Sequence, residues 1–158
     1  MPAGYYFNPA LDAARALHPR AGAAACSIIP DEIVLRRRRN YQRLAGMLDG
    51  IRGANLLHDK IPEGVCPLSL PLLVSNRDGC VEALQARGVG AFPWWAGFHR
   101  GGIDWSQFPE ACRLKHQLLT LPIHQNLDDR HLTYVAEMVI RVLQAGDGTQ
   151  PSPCQRSA

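Results

Sequence analysis

Apolar residues in this chain alternate between helical spacing and short unbroken runs, and that alternation decides what it can fold into. Ile33, Tyr41, Leu44, Met47, Leu48 and Ile51 recur at helical spacing and make one apolar stripe. Pro30 suits a first helical turn, Asp31 and Glu32 sit at the positive end of the dipole, and Gly50 and Gly53 end the helix. Residues 54–57 then read as a short strand and 66–74 as a long one, in which Pro67 and Pro71 disfavour a fully paired central position. Asn76 or Asp78 caps a second helix running through Arg87, with Val81 and Leu84 inward, and Gly88 closes it. Residues 89–94 form the next strand. Pro109 starts a third helix carrying Ala111, Leu114 and Leu118 inward, and residues 119–123 are a short strand. Asp128 and Asp129 begin a last helix, where Leu132, Val135, Ala136, Val139 and Leu143 repeat every three or four residues.

The order helix, strand, strand, helix, strand, helix, strand, helix predicts an α+β, two-layer fold. Its sheet is small and largely antiparallel, with helices packed on one face. Residues 30–145 make this domain, and residues 1–29, with Pro2, Pro9 and Pro19, read as a linker or arm with a short helix over 9–17. Residues 146–158 are rich in Gly, Pro and Ser and are expected to be disordered.

At 158 residues, 46% apolar and 20% charged, the chain can bury a core without disulfides or metals. Its five cysteines, Cys26, Cys66, Cys80, Cys112 and Cys154, are odd in number and show no Cys-x-x-Cys. That pattern opposes a zinc site and a disulfide framework and fits reduced thiols inside a cell. No apolar run approaches the ~18 residues a membrane span needs. Residues 21–29 mimic a signal sequence only faintly and are followed by an arginine block, so the expected location is cytoplasmic.

The net charge of +3 is mild and concentrated in Arg36, Arg37, Arg38, Arg39 and Arg43. Four consecutive helical positions sweep through about 300°, so they cannot form one phosphate-binding face. Most are expected to be solvated, some against a neighbouring domain. His99, after two tryptophans and a glycine at the mouth of a strand, is placed where polar groups reach ligands. Packing is the plainer reading of the aromatics themselves. His18, His58, His116 and His131 show no ligand spacing with one another or with the cysteines, and no metal site is expected. Asp128 and Asp129 are more simply dipole partners than an acid–base pair. No Gly-x-Ser-x-Gly, P-loop or dinucleotide fingerprint occurs.

Three stretches carry a resemblance: residues 36–44, Arg-Arg-Arg-Arg-Asn-Tyr-Gln-Arg-Leu; residues 88–99, Gly-Val-Gly-Ala-Phe-Pro-Trp-Trp-Ala-Gly-Phe-His; and residues 121–129, Leu-Pro-Ile-His-Gln-Asn-Leu-Asp-Asp. Together they resemble the C-terminal small domain of the DegT/DnrJ/StrS-type sugar aminotransferases, which depend on pyridoxal phosphate. The resemblance implies amino transfer from an amino acid, often glutamate, to a keto-sugar nucleotide, with the active site formed between two subunits. It implies substrate contact by His99, Trp95 and Trp94, while Pro122 and His124 of the Leu-Pro-Ile-His element are fold markers.

The cofactor lysine of that family belongs to a large N-terminal domain. This chain has two lysines, Lys60 and Lys115, and neither lies in such a segment. Imine chemistry needs the amine. The expectation is therefore no catalytic and no cofactor-binding residue here, no pyridoxal phosphate held by this chain alone, and no transamination alone. The implied partner is a large domain in another chain, or self-association through residues 5–29, especially Tyr5, Tyr6 and Phe7, and the 94–98 corner. Two other readings stay open: a stand-alone module binding a small polar ligand at the Trp94–His99 corner, and a nucleic-acid module using the arginine helix. The last lacks exposed aromatics along a strand for base stacking.

Overall fold

The computed structural model describes residues 30–94 and 104–146. Four helices, α1 (Pro30–Leu48), α2 (Arg77–Gln85), α3 (Pro109–Gln117) and α4 (Asp129–Ala145), and four strands, β1 (Ala54–Leu56), β2 (Ser69–Val74), β3 (Phe92–Pro93) and β4 (Leu118–Pro122), make up the regular structure of these residues. A short 3₁₀ turn, Trp105–Gln107, precedes α3. The strands form one sheet in the order β1-β2-β4-β3, antiparallel at every pairing. This is the expected α+β class.

Register decides which leucines enter the core. Leu70 faces Leu121 and Leu72 faces Leu119, so the period of two puts all four on one face with Val74 and Ile123. Tyr41, Leu44, Ala45 and Leu48 of α1, Val81 and Leu84 of α2, and Leu132, Val135, Ala136 and Val139 of α4 close over that face. Each fully buried Leu in this layer is worth roughly 1.5–3 kcal/mol in transfer from water. Leu73, Leu118 and Thr120 occupy the alternate positions and are also buried. There α3 packs along β2 and β4, with Cys112 as its buried residue. Ala111 and Leu114 are only half-buried, and Leu118 is the first residue of β4 rather than a helix residue.

Pro71 corrects an expectation. It lies in β2, which is paired on both sides and is therefore central. Its carbonyl accepts from the Leu57 N–H at 3.3 Å. In an antiparallel ladder a residue's N–H and C=O face the same neighbour, so the donor that proline lacks would point past the end of β1. Leu57 lies just past β1, so the missing donor costs only the return bond of this last pair and interrupts no bond farther along the ladder. The strand expected over 66–74 accordingly starts only at Ser69, and that over 89–94 shrinks to Phe92–Pro93 at the sheet edge, where proline is tolerated.

Gly88, at φ 75°, ends α2 in a left-handed turn that a side chain would resist. The Val89 N–H reaches the Leu84 carbonyl at 3.0 Å and the Gly88 N–H that of Gln85 at 2.9 Å, which satisfies the last free acceptors of the helix. Asn76 caps the other end, its side chain accepting from the Gly79 N–H.

Candidate functional site

The basic run on α1 does not act as a unit. Arg37 donates from Nε to Gln125 Oε1 at 3.0 Å and from Nη1 to the Pro67 carbonyl at 3.3 Å. Arg38 Nη1 donates to the carbonyls of Pro62 and Val65, at 2.8 and 2.7 Å. Arg36 pairs with Glu32 one turn earlier, at 3.2 Å. Arg39 spans both oxygens of Asp129, at 3.0 and 3.1 Å, and Arg43 reaches the same carboxylate at 3.4 Å. At about 100° per residue, positions 36, 39 and 43 share one flank of α1, whereas 37 and 38 point at the β1–β2 loop. Most of the four were expected to be solvated: Arg36 and Arg39 are exposed and matched by acids, whereas Arg37 and Arg38 hold backbone carbonyls of residues 62–67.

Asn40 and Tyr41 follow directly and hold both neighbouring connections. Asn40, buried on the core side of α1, donates from Nδ2 to the carbonyls of Ile123, His124 and Leu127, at 3.4, 3.0 and 3.4 Å. Tyr41 donates its hydroxyl proton to the His58 carbonyl at 2.6 Å. Burial of the phenol, with the Asp59 carboxylate adding to it, pushes the Tyr41 pKa up. A polar residue inside an apolar stripe is the signal the sequence carries for Asn40, since polar residues ordinarily lie outside such a stripe.

His124 is exposed, and what it contributes is its carbonyl, which accepts from Asn40 and from the Leu127 N–H. That agrees with a fold marker. Asp128 caps α4 by accepting from the His131 N–H at 3.0 Å, while His131 Nδ1 lies 2.7 Å from the same carboxylate. The His131 backbone N–H, chiefly, holds the Asp128 carboxyl below the usual aspartate range. Asp128 and Asp129 therefore do separate work, one on the helix end and one on α1.

Two open clefts border this end of α4. One, of about 420 Å³, is lined by Arg36, Arg39, Asn126, Asp128, Asp129 and Arg130. The other, of about 410 Å³, is lined by Arg43, Asp129, Arg130, Thr133, Tyr134 and Glu137. Both clefts are lined by cations and carboxylates together, so neither carries one sign of charge alone.

Of the three expected substrate residues, Trp95 and His99 lie outside the described residues. Trp94 stands half-buried just beyond β3, its N–H donating to the Leu118 carbonyl at 3.2 Å. Lys60 is exposed on the β1–β2 loop, and the Lys115 ammonium lies 5.0 Å from the centroid of the Trp105 ring. Neither lysine lines either cleft. Among the described residues no three His, Cys, Asp or Glu side chains are grouped to hold a metal, and no helix is long and apolar enough to cross a membrane.

One buried cation was not foreseen. The Arg77 side chain is 7% exposed, its Nε and Nη2 held by Asp78 Oδ1 at 2.8 and 2.7 Å. Its Nη1 is buried with no hydrogen-bond partner.

With that geometry in place, the sequence profile of the DegT/DnrJ/EryC1/StrS aminotransferase family matches residues 30–140. Among solved structures, an aminotransferase, TlmJ, from Streptoalloteichus hindustanus is 25% identical, with a TM-score of 0.62 over 79% of this chain and 35% of its own. A sugar aminotransferase from Streptococcus pneumoniae, Spr1654, solved in its PMP-form, is 20% identical, with a TM-score of 0.65 over 79% of this chain and 34% of its own. PseC of Helicobacter pylori, an aminotransferase involved in the biosynthesis of pseudoaminic acid, is 16% identical, with a TM-score of 0.65 over 79% and 36%. The chain spans about a third of the length of each. No curated protein matches.

Proposed function

The chain belongs to the DegT/DnrJ/EryC1/StrS aminotransferase family, and from that premise we propose that it is the small C-terminal lobe of a sugar aminotransferase whose cofactor is held by the large domain of that enzyme. The observation that carries the reading is the match of residues 30–140 to the family while the chain spans about a third of the solved structures. Pyridoxal phosphate is the cofactor of the whole enzyme, as the PLP-form and PMP-form structures of the Streptococcus pneumoniae relative support.

The described residues do not fit that cofactor. A lysine imine needs an amine set into an enclosed, anion-accepting pocket. Lys60 projects from a loop fastened by Arg38, and Lys115 rests against an indole ring. In this reading the lobe closes over the site and contributes substrate contacts from the Trp94, Trp95 and His99 corner, and the complete site is dimeric, cytoplasmic and takes a sugar nucleotide. Residues 1–29 serve as the arm toward the partner. The nucleic-acid reading has lost its main support, because Arg37 and Arg38 are committed to backbone carbonyls.

The test is reconstitution. The purified chain is mixed with pyridoxal phosphate and borohydride, alone and with a lysine-bearing large domain from a relative. Alone it should give no more reduced adduct on Lys60 or Lys115 than any exposed lysine gives and no amino transfer to a keto-sugar nucleotide; with the large domain it should bind and raise transfer. A trapped adduct together with transfer by the chain alone overturns the proposal.

A further inference from the structure

Three Asp–Gly pairs occur in the sequence: Asp49–Gly50, Asp78–Gly79 and Asp147–Gly148. The last lies outside the described residues. The other two carboxylates are both exposed, but they differ in how the side chain and the glycine nitrogen are engaged. Asp78 is ion-paired to Arg77 at 2.7 Å, and the Gly79 N–H is engaged by Asn76 Oδ1 at 3.2 Å within the first turn of α2. The pocket around Gly79 is tight, since a Cβ there would meet Asn76 Nδ2 at 2.6 Å. Asp49 is exposed in the turn just past α1, Gly50 adopts φ 68°, and a Cβ at Gly50 would meet nothing within 4 Å.

We propose that Asp49–Gly50 is a site of spontaneous backbone isomerisation, a covalent modification in which water is the only co-reactant. The Gly50 nitrogen bonds to Asp49 Cγ, and a carboxyl oxygen leaves as water with the amide proton, giving a five-membered succinimide. Water then adds at the main-chain carbonyl carbon and breaks its bond to Gly50. Asp49 is left linked through its side chain, with its former peptide carbonyl as the free carboxylate and no net change in mass. Glycine favours the first step because no Cβ blocks the approach and the backbone can take the conformation required. The product carries an extra methylene in the main chain between α1 and β1. The Gly50 and Gly53 turn must absorb it before Ala54 can pair with Val74.

The experiment ages the folded chain at neutral pH, labels it with an isoaspartate methyltransferase and isotopic methyl donor, and digests it with trypsin. Peptide 44–52 should take up label and peptide 78–87 should label at least about tenfold more slowly, because attack there waits on local opening of α2. In urea both should label alike, which calibrates the chemistry apart from the fold. Asp49→Glu should abolish labelling of 44–52, since its ring would be six-membered. No label on 44–52 in the folded chain alongside label in urea overturns the proposal, as does equal labelling of both peptides in the folded chain.

Discussion

Asn40 on α1 donates to the carbonyl of His124 at 3.0 Å, across 84 residues of sequence, and so fastens the β4–α4 connection to the first helix. The same amide nitrogen reaches the carbonyls of Ile123 and Leu127. Asn40→Ala leaves these acceptors facing a buried gap, which should cost about 1–3 kcal/mol of stability. Asn40→Asp should cost more, because it replaces the donor with acceptor oxygens. Urea unfolding at neutral pH measures both; an Ala variant as stable as the parent would show that the connection holds itself.

Arg38 secures the β1–β2 loop from outside, through the carbonyls of Pro62 and Val65. Both bonds are exposed, so Arg38→Ala should change global stability by less than about 1 kcal/mol. It should instead loosen the loop that carries Lys60. Limited trypsin digestion should then cut after Lys60 several-fold faster in the variant, with the far-ultraviolet circular dichroism unchanged. Equal cutting rates would mean that Tyr41, through His58, is sufficient to hold the loop.

How far the sequence could be read depended on whether local periodicity or tertiary pairing decided each element. The α1 stripe and the Asp128 cap are local, and both stand where spacing puts them. Pro71 misleads because its cost is set by where β1 stops, which no local pattern contains. Leu118 looked like a helix residue because it follows Leu114 at helical spacing, yet pairing with Leu73 draws it into β4. The arginine run was harder still: Arg36 pairs locally with Glu32, but the acceptors of Arg37, Arg38 and Arg39 lie 24 to 90 positions away. For the site, Trp94 stands near a strand end as expected, while a polar residue inside the α1 stripe marks Asn40 as unusual without saying that its acceptors lie in the β4–α4 connection.

Acid should weaken the start of α4. The Asp128 carboxyl titrates below its ordinary value in the fold, so its contribution is fully present above the ordinary aspartate pKa. It is lost as pH falls through the lowered folded value. Asn also caps helices well, so Asp128→Asn keeps the bond to the His131 N–H and removes only the charge. The parent should therefore melt higher than Asp128→Asn at neutral pH, and the two curves should converge as the pH drops below the aspartate range. A gap in Tm that stays constant down to low pH would show that the carboxylate charge contributes nothing.

Arg77 offers a case where removing a charge should not hurt. Its guanidinium is buried, Asp78 satisfies only one side of it, and Nη1 has no partner. Asp78 itself is 78% exposed and can be solvated if released. Exchanging a half-satisfied buried cation for an apolar side chain of similar length ends its desolvation penalty and leaves no orphaned charge in the interior. Arg77 lies on the same stripe of α2 as Cys80, Val81 and Leu84, so a thioether there meets apolar neighbours. Arg77→Met should accordingly leave stability unchanged or raise it by about 1 kcal/mol, within the range seen when buried ion pairs are replaced. Arg77→Ala should lose stability instead, because it also removes the packed stem. Denaturant midpoints for the two variants separate the terms, and a Met variant as destabilised as the Ala variant would show that the Nη1 donors are satisfied by ordered water.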